Sequence, residues 1–174
     1  LVEKIAKQNN PISFELANTT QEQHELWSGR KQALWSMLAL RSGDEEAWST
    51  DVAVPPSQLA ELIDISKKEL VDLGLFASIL GHIGDGNFHA TIIYDAKNPE
   101  ERKKVAYCVE KMVDRALAME GTCTGEHGIG IGKKGHLVKE LGLDAITSMQ
   151  KIKQALDPFW IMVSSVKYHF EALC

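Results

Sequence analysis

The 174-residue chain is 44% hydrophobic with a formal net charge of −5, enough apolar material for one buried core. The acidic balance and absence of a basic cluster argue against nucleic acid or an anionic membrane surface as partner. No apolar run nears the ~20 residues of a membrane helix. Cys108, Cys123 and Cys174 show no paired spacing, so neither a disulfide framework nor a thiolate zinc site is indicated, and a reducing compartment fits.

Leu1, Val2, Ile5 and Ala6 already keep helical spacing; the chain reads as a fragment, with any targeting segment upstream. Pro11 to Ala17 predicts a short strand. Thr19 or Thr20 can cap a helix to about Leu40 with the stripe Leu26, Ala33, Leu34, Met37 and Leu38. Ala47 to Val54 predicts a strand stopped by Pro55-Pro56. A helix follows with Leu59, Leu62, Ile63, Leu70 and Leu73 inward and Gly74 just past its end. Leu75–Ile83 and Asn87–Tyr94 predict a hairpin. Asn98-Pro99-Glu100-Glu101 combines a cap, a proline at the first helical position and acid in the first turn. The helix it starts ends at Gly121. A glycine-rich loop then runs to Gly132, before helices over Lys133–Leu141 and Asp144–Leu156. This order predicts an α+β fold, a mainly antiparallel sheet with helices on one face. A doubly wound α/β fold is the alternative.

Chemistry concentrates in Gly81-His82-Ile83-Gly84-Asp85-Gly86-Asn87-Phe88-His89 and Gly125-Glu126-His127-Gly128. Asp85-Gly86 between apolar runs predicts a two-residue turn. That turn sets His82 opposite His89, with Cβ atoms about 5 Å apart. Two imidazoles so placed can grip one metal ion. Glu126 can complete a two-His, one-carboxylate set with open coordination positions. The bland alternative is a polar pair, but the flanking glycines cost strand entropy for no packing gain. His127, beside such a site, has the chemistry of a general base.

Gly130 to Gly135 matches the spaced glycines of a dinucleotide motif but follows a loop rather than a strand, and no Ser or Thr follows the lysine for a Walker motif. Arg30 shares its helix face with Leu26, Ala33, Leu34 and Met37. A guanidinium there suits either a carboxylate gripped in two-pronged fashion or a structural salt bridge.

The stretches GHIGDGNFH, GTCTGEHGIG and STDVAVP resemble the C-terminal domain of the FAD-linked oxidase family, the vanillyl-alcohol-oxidase-type flavoproteins. The resemblance runs from about Leu1 to Met162 and is greatest to the D-lactate dehydrogenases that pass electrons to cytochrome c. It implies a ferredoxin-like substrate domain, truncated at both ends, with FAD held mainly by a preceding domain. It assigns His82, His89 and Glu126 to a divalent metal (Zn or Mn), His127 to the hydroxyl proton, Arg30 to the substrate carboxylate and Asn87 to the cofactor. A small 2-hydroxy acid, cytochrome c or another electron acceptor, and a mitochondrial setting follow from it. Ser49, where a second carboxylate would call for a lysine, favours a monocarboxylate such as D-lactate over D-2-hydroxyglutarate; glycolate is a further alternative. From Val163 to Cys174 the chain departs from the family pattern, so a non-family tail is expected. A metal-binding fragment inactive by itself is the reading from another class.

Overall fold

The computed structural model describes residues 1–162, so the expected tail after Met162 lies outside the described residues. Two compact units are resolved, Leu1–Leu40 and the part from Arg41 onward.

The first unit contains α1 (Val2–Gln8) and α2 (Thr20–Leu38). Thr19 starts α2 through a reciprocal cap: its hydroxyl accepts the Glu22 N–H, and the Glu22 carboxylate accepts the Thr19 N–H at 2.9 Å. Such a cap contributes about 1 kcal/mol. The strand expected over Pro11 to Ala17 does not form; residues 13–18 are irregular. A strand exists only within a ladder, and no described strand pairs with this segment. The expected inner stripe of α2 is also corrected. Met37 is buried, but Leu26 and Leu34 are 67% and 44% exposed. Helical period tells which side chains share a face, not whether anything covers it.

The second unit contains β1 (Glu45–Ser49), β2 (Val52–Ala53), α3 (Pro56–Asp72), β3 (Phe76–His82), β4 (Asn87–Asp95), α4 (Pro99–Ala118) and α5 (Lys134–Leu156). All described strand pairs are antiparallel, with β4 between β3 on one side and β1 and β2 on the other. The fold is α+β, and the doubly wound alternative fails. Alternate residues of β4 (Phe88, Ala90, Ile92, Tyr94) enter a core with Leu59, Leu62 and Leu70 of α3 and Val105, Met112 and Ala116 of α4. Each large apolar side chain buried there contributes roughly 1.5–3 kcal/mol. Arg115 of α4 adds a two-pronged pair to Glu69 of α3, at 2.6 and 2.8 Å.

Asn98 caps α4, its side-chain oxygen accepting from the Glu100 and Glu101 N–H groups. The two final helices run as expected but meet without a loop. Gly142, at φ 76° and ψ 167°, breaks α5 between them.

Two further differences shape the site. The strand expected over Ala47 to Val54 is interrupted at Thr50-Asp51, although β1 and β2 keep one register against β4: Ser49 faces Thr91 and Val52 faces Phe88. The hairpin turn has four residues rather than two. Ile83–Asp85 form a 3-10 turn, and Gly86 follows at φ 73°. Gly86 is pressed onto the start of α3, its carbonyl accepting the Val54 N–H at 2.9 Å. A Cβ there would stand 2.2 Å from the Val54 oxygen. This docking pulls the turn away from the tight form that Asp-Gly favours locally.

Candidate metal centre

The longer turn shifts the hairpin register by two. His82 pairs with Asn87, and His89 pairs with Leu80, where the sequence predicted His82 opposite His89. An even shift preserves side-chain parity, so both histidines still project from the same face of the sheet. They are diagonal neighbours, with ring centroids 5.7 Å apart at 81°. The expected pairing was wrong and the expected proximity right.

Glu126 arrives from the loop after α4. Its Oε1 lies 2.8 Å from His89 Nε2 and 3.3 Å from His82 Nε2. Among the described residues, His82, His89 and Glu126 form a group whose ligand atoms all lie within 4.8 Å of one another. At bond lengths of about 2.0–2.1 Å, two ligands of a tetrahedral ion stand roughly 3.4 Å apart. The donor set, two imidazole nitrogens and a carboxylate, therefore fits a divalent cation. His127 joins the cluster from the other side. Its ring stacks on His89 at 4.7 Å and 4°, and its Nε2 is 3.7 Å from Glu126 Oε1. His89 is the buried member, with 11% of its side chain exposed, whereas His82, Glu126 and His127 are 38–53% exposed. One side of the cluster is thus open to a small molecule.

The orientation of His89 comes from the ladder break. Opposite Thr50, the Ala90 N–H donates to the Thr50 hydroxyl at 2.8 Å. The Thr50 carbonyl instead meets His89 Nδ1 at 3.2 Å. A carbonyl can only accept, so Nδ1 carries a proton, and Nε2 is the nitrogen turned toward Glu126. Metal-binding histidines are commonly held in this way.

Asp51, its side chain only 1% exposed, anchors the loop. Its Oδ2 accepts the backbone N–H groups of Glu126 at 3.0 Å and His127 at 2.8 Å, and the Thr124 hydroxyl at 3.0 Å. The Lys133 ammonium lies 3.5 Å from the same oxygen and donates to the Asp51 carbonyl at 2.9 Å. Burial pushes the Asp51 carboxyl pKa up, but the His127 and Glu126 amides, Lys133 and Thr124 together outweigh it and hold the group down at about 2. The loop can come this close because residue 125 is glycine: a Cβ there would stand 2.7 Å from Asp51 Oδ1 and 2.8 Å from Asn87 Cβ. Sequence reasoning assigned Asp51 no role. A lone acid within the strand expected over Ala47 to Val54 was the available signal, because a buried carboxylate requires donors.

Asn87 lies under this loop, 3% exposed, with its Oδ1 lacking a hydrogen-bond partner. Arg30 belongs to the first unit. It is half-buried and lines a shallow cleft with Glu15, Glu22 and Glu25. Burial first, and Glu140 next, push the Cys123 thiol up to about 12; burial and Glu69 bring Cys108 to about 11. Both therefore stay protonated. Cys174 lies outside the described residues.

Comparison with known proteins identifies the family. The chain is 51% identical over 160 residues to the mitochondrial D-lactate dehydrogenase [cytochrome] of Kluyveromyces lactis, covering 90% of this chain and 27% of that protein. It is 47% identical to the Arabidopsis thaliana protein of the same name, covering 93% and 28%. The glycolate oxidase subunit GlcD of Bacillus subtilis is 32% identical, with 90% and 33% covered. The chain thus spans about a quarter to a third of these relatives. A solved 4-ethylphenol oxidase from Gulosibacter chungangensis shares the fold, with a TM-score of 0.51 at 14% identity over 90% of this chain and 34% of that one. Residues 1–164 match the family of FAD linked oxidases, C-terminal domain, and the chain belongs to that family.

Proposed function

We propose that this chain is the substrate- and metal-binding part of a mitochondrial, FAD-dependent D-lactate dehydrogenase that forms pyruvate and passes electrons to cytochrome c. The observation that carries the reading is the convergence of His82 and His89 Nε2 on one oxygen of Glu126, at 3.3 and 2.8 Å. The names of the relatives supply the substrate and the acceptor.

His82, His89 and Glu126 would hold a divalent cation, which when bound draws charge from the substrate hydroxyl and orients the acid. FAD, held by the remaining length of such a protein, would supply the hydride-accepting chemistry at the substrate Cα. His127 is exposed beside the cluster and accepts the hydroxyl proton at Nε2. With both hydrogens gone from the alcohol, the product is the 2-oxo acid. Arg30 grips the substrate carboxylate, and Asn87, whose amide oxygen lacks a partner, contacts the cofactor. Residues 1–162 form the family domain; the family match ends at residue 164, two residues into the expected tail. Ser49 in place of a lysine favours a monocarboxylate. The GlcD relative keeps glycolate as a second reading.

The test is made in a full-length protein. His127→Ala should lower kcat by 10²-fold or more with the cation still bound, as expected for loss of a general base. Arg30→Ala should raise KM for D-lactate more than tenfold, since a charged two-pronged contact contributes roughly 1.5–3 kcal/mol. Unchanged kinetics in either variant would remove that residue from the mechanism. A wild type that holds no divalent metal by elemental analysis would remove the metal.

A further inference from the structure

The ladder break and the loop anchor meet at one side chain. Asp51 stands opposite His89 in the register shared by β1, β2 and β4, so both project from the same face. Its Oδ2 takes the two backbone N–H groups that precede the Glu126 and His127 side chains. Its Oδ1 is buried, has no hydrogen-bond partner and lies 3.7 Å from His89 Nδ1. That distance is too long for a hydrogen bond and short enough for the negative charge to favour a proton on Nδ1.

We propose that Asp51 is the positioning residue of the metal centre: one carboxylate oxygen places Glu126 and His127, and the other, with the Thr50 carbonyl, keeps the Nε2 lone pair of His89 free for the cation. The inference rests on the metal reading above and adds to it a residue that touches neither the cation nor the substrate. A purely structural buried carboxylate would call for a donor at each of its two oxygens. Here one oxygen is fully engaged by the ligand loop, and the other is left facing a ligand histidine. The loop offers no alternative anchor for the two amides, whose only acceptor among the described hydrogen bonds is Asp51.

The test compares wild type, Asp51→Ala and Asp51→Asn in the full chain. It reads residue-resolved amide exchange, long-range ¹H–¹⁵N spectra of the imidazoles and Co²⁺ titration followed by its visible absorption. In Asp51→Ala the Glu126 and His127 amides should exchange at least tenfold faster while Ile92 and other β4 amides keep their protection. Co²⁺ affinity should fall about 10–100-fold, as for other outer-sphere partners. Asp51→Asn keeps a carbonyl oxygen for the two amides but turns an NH₂ toward His89 Nδ1. Loop protection should therefore return, while the share of the His89 Nε2–H tautomer rises against the Thr50 carbonyl and Co²⁺ binding stays at least tenfold weak. That split between protection and affinity is not the signature of a merely structural role.

Unchanged loop exchange in Asp51→Ala, or full Co²⁺ affinity in both variants, overturns the proposal. Should Asp51→Ala fail to fold, Asp51→Asn alone decides through the tautomer and the affinity. A wild type that binds no Co²⁺ sinks the metal reading by itself, and amide exchange with the His89 tautomer still decides whether Asp51 positions the loop and the ring.

Discussion

The two faces of β4 are built on different principles. On one face Phe88, Ala90 and Ile92 are fully buried with side chains of α3 and α4. On the other, Asn87 and His89 meet His82 of β3 and the loop that carries Glu126 and His127. The apolar face gains from area removed from water, which is non-directional and indifferent to which atom touches which. The polar face depends on individual atoms: a carbonyl turned out of the ladder, a carboxylate oxygen shared by two amides, a glycine with no room for a methyl group. A single strand therefore couples stability to chemistry, and damage to the two faces should be separable.

The largest separation is expected between neighbours. Phe88→Ala should cost about 3–5 kcal/mol in denaturant unfolding, whereas His89→Ala should cost about 1 kcal/mol or less and abolish divalent-cation binding. Similar losses of stability in the two variants would erase the distinction between the faces.

A smaller effect should appear with pH. The folded Asp51 carboxyl is held down at about 2, below the ordinary aspartate value of 3.8, so the native state favours its charged form. The resulting stabilisation, about 2 kcal/mol, is complete above pH ~4 and disappears as pH falls through about 2. Asp51→Asn should flatten the acid limb of the stability profile in that window alone. A profile still parallel to wild type between pH 4 and 2 would show that other carboxylates account for acid unfolding.

Gly125→Ala should sharpen the comparison further. The added methyl group meets Asp51 and Asn87 within 2.9 Å, so the loop must lift. Stability should drop by roughly 1–2 kcal/mol, within the range of overpacking, and Co²⁺ affinity by about tenfold. Affinity equal to wild type would mean that the loop position does not govern the ligands. The smallest effect belongs to a residue on neither face. Asn98→Ala removes the cap of α4 and should cost about 1 kcal/mol with cation binding unchanged.

Much of this architecture was legible before any coordinates. Thr19 with Glu22, and Asn98 with Pro99, are signals complete within a few residues, and both helices begin where those residues say. The sharing of one face by His82 and His89 was legible too, because an even register shift preserves parity. The turn itself differs from the expected one. Asp85-Gly86 favours a two-residue turn locally, yet Gly86 is held by Val54 on the far side of α3 in sequence, and that contact selects a four-residue turn. The α2 stripe failed for a related reason, since Leu26 and Leu34 have the spacing of a buried face and remain exposed.

Local chemistry thus decided where helices start, which residues share a face and which residue types gather near the site. Those preferences act over three or four residues and need no partner from elsewhere in the chain. Tertiary packing alone decided the turn length, the break in the ladder at Thr50 and the assignment of Asp51 to the Glu126–His127 loop. Each joins segments distant in sequence. A buried carboxylate or carbonyl takes whichever donors the fold delivers, and no periodicity along the chain names them.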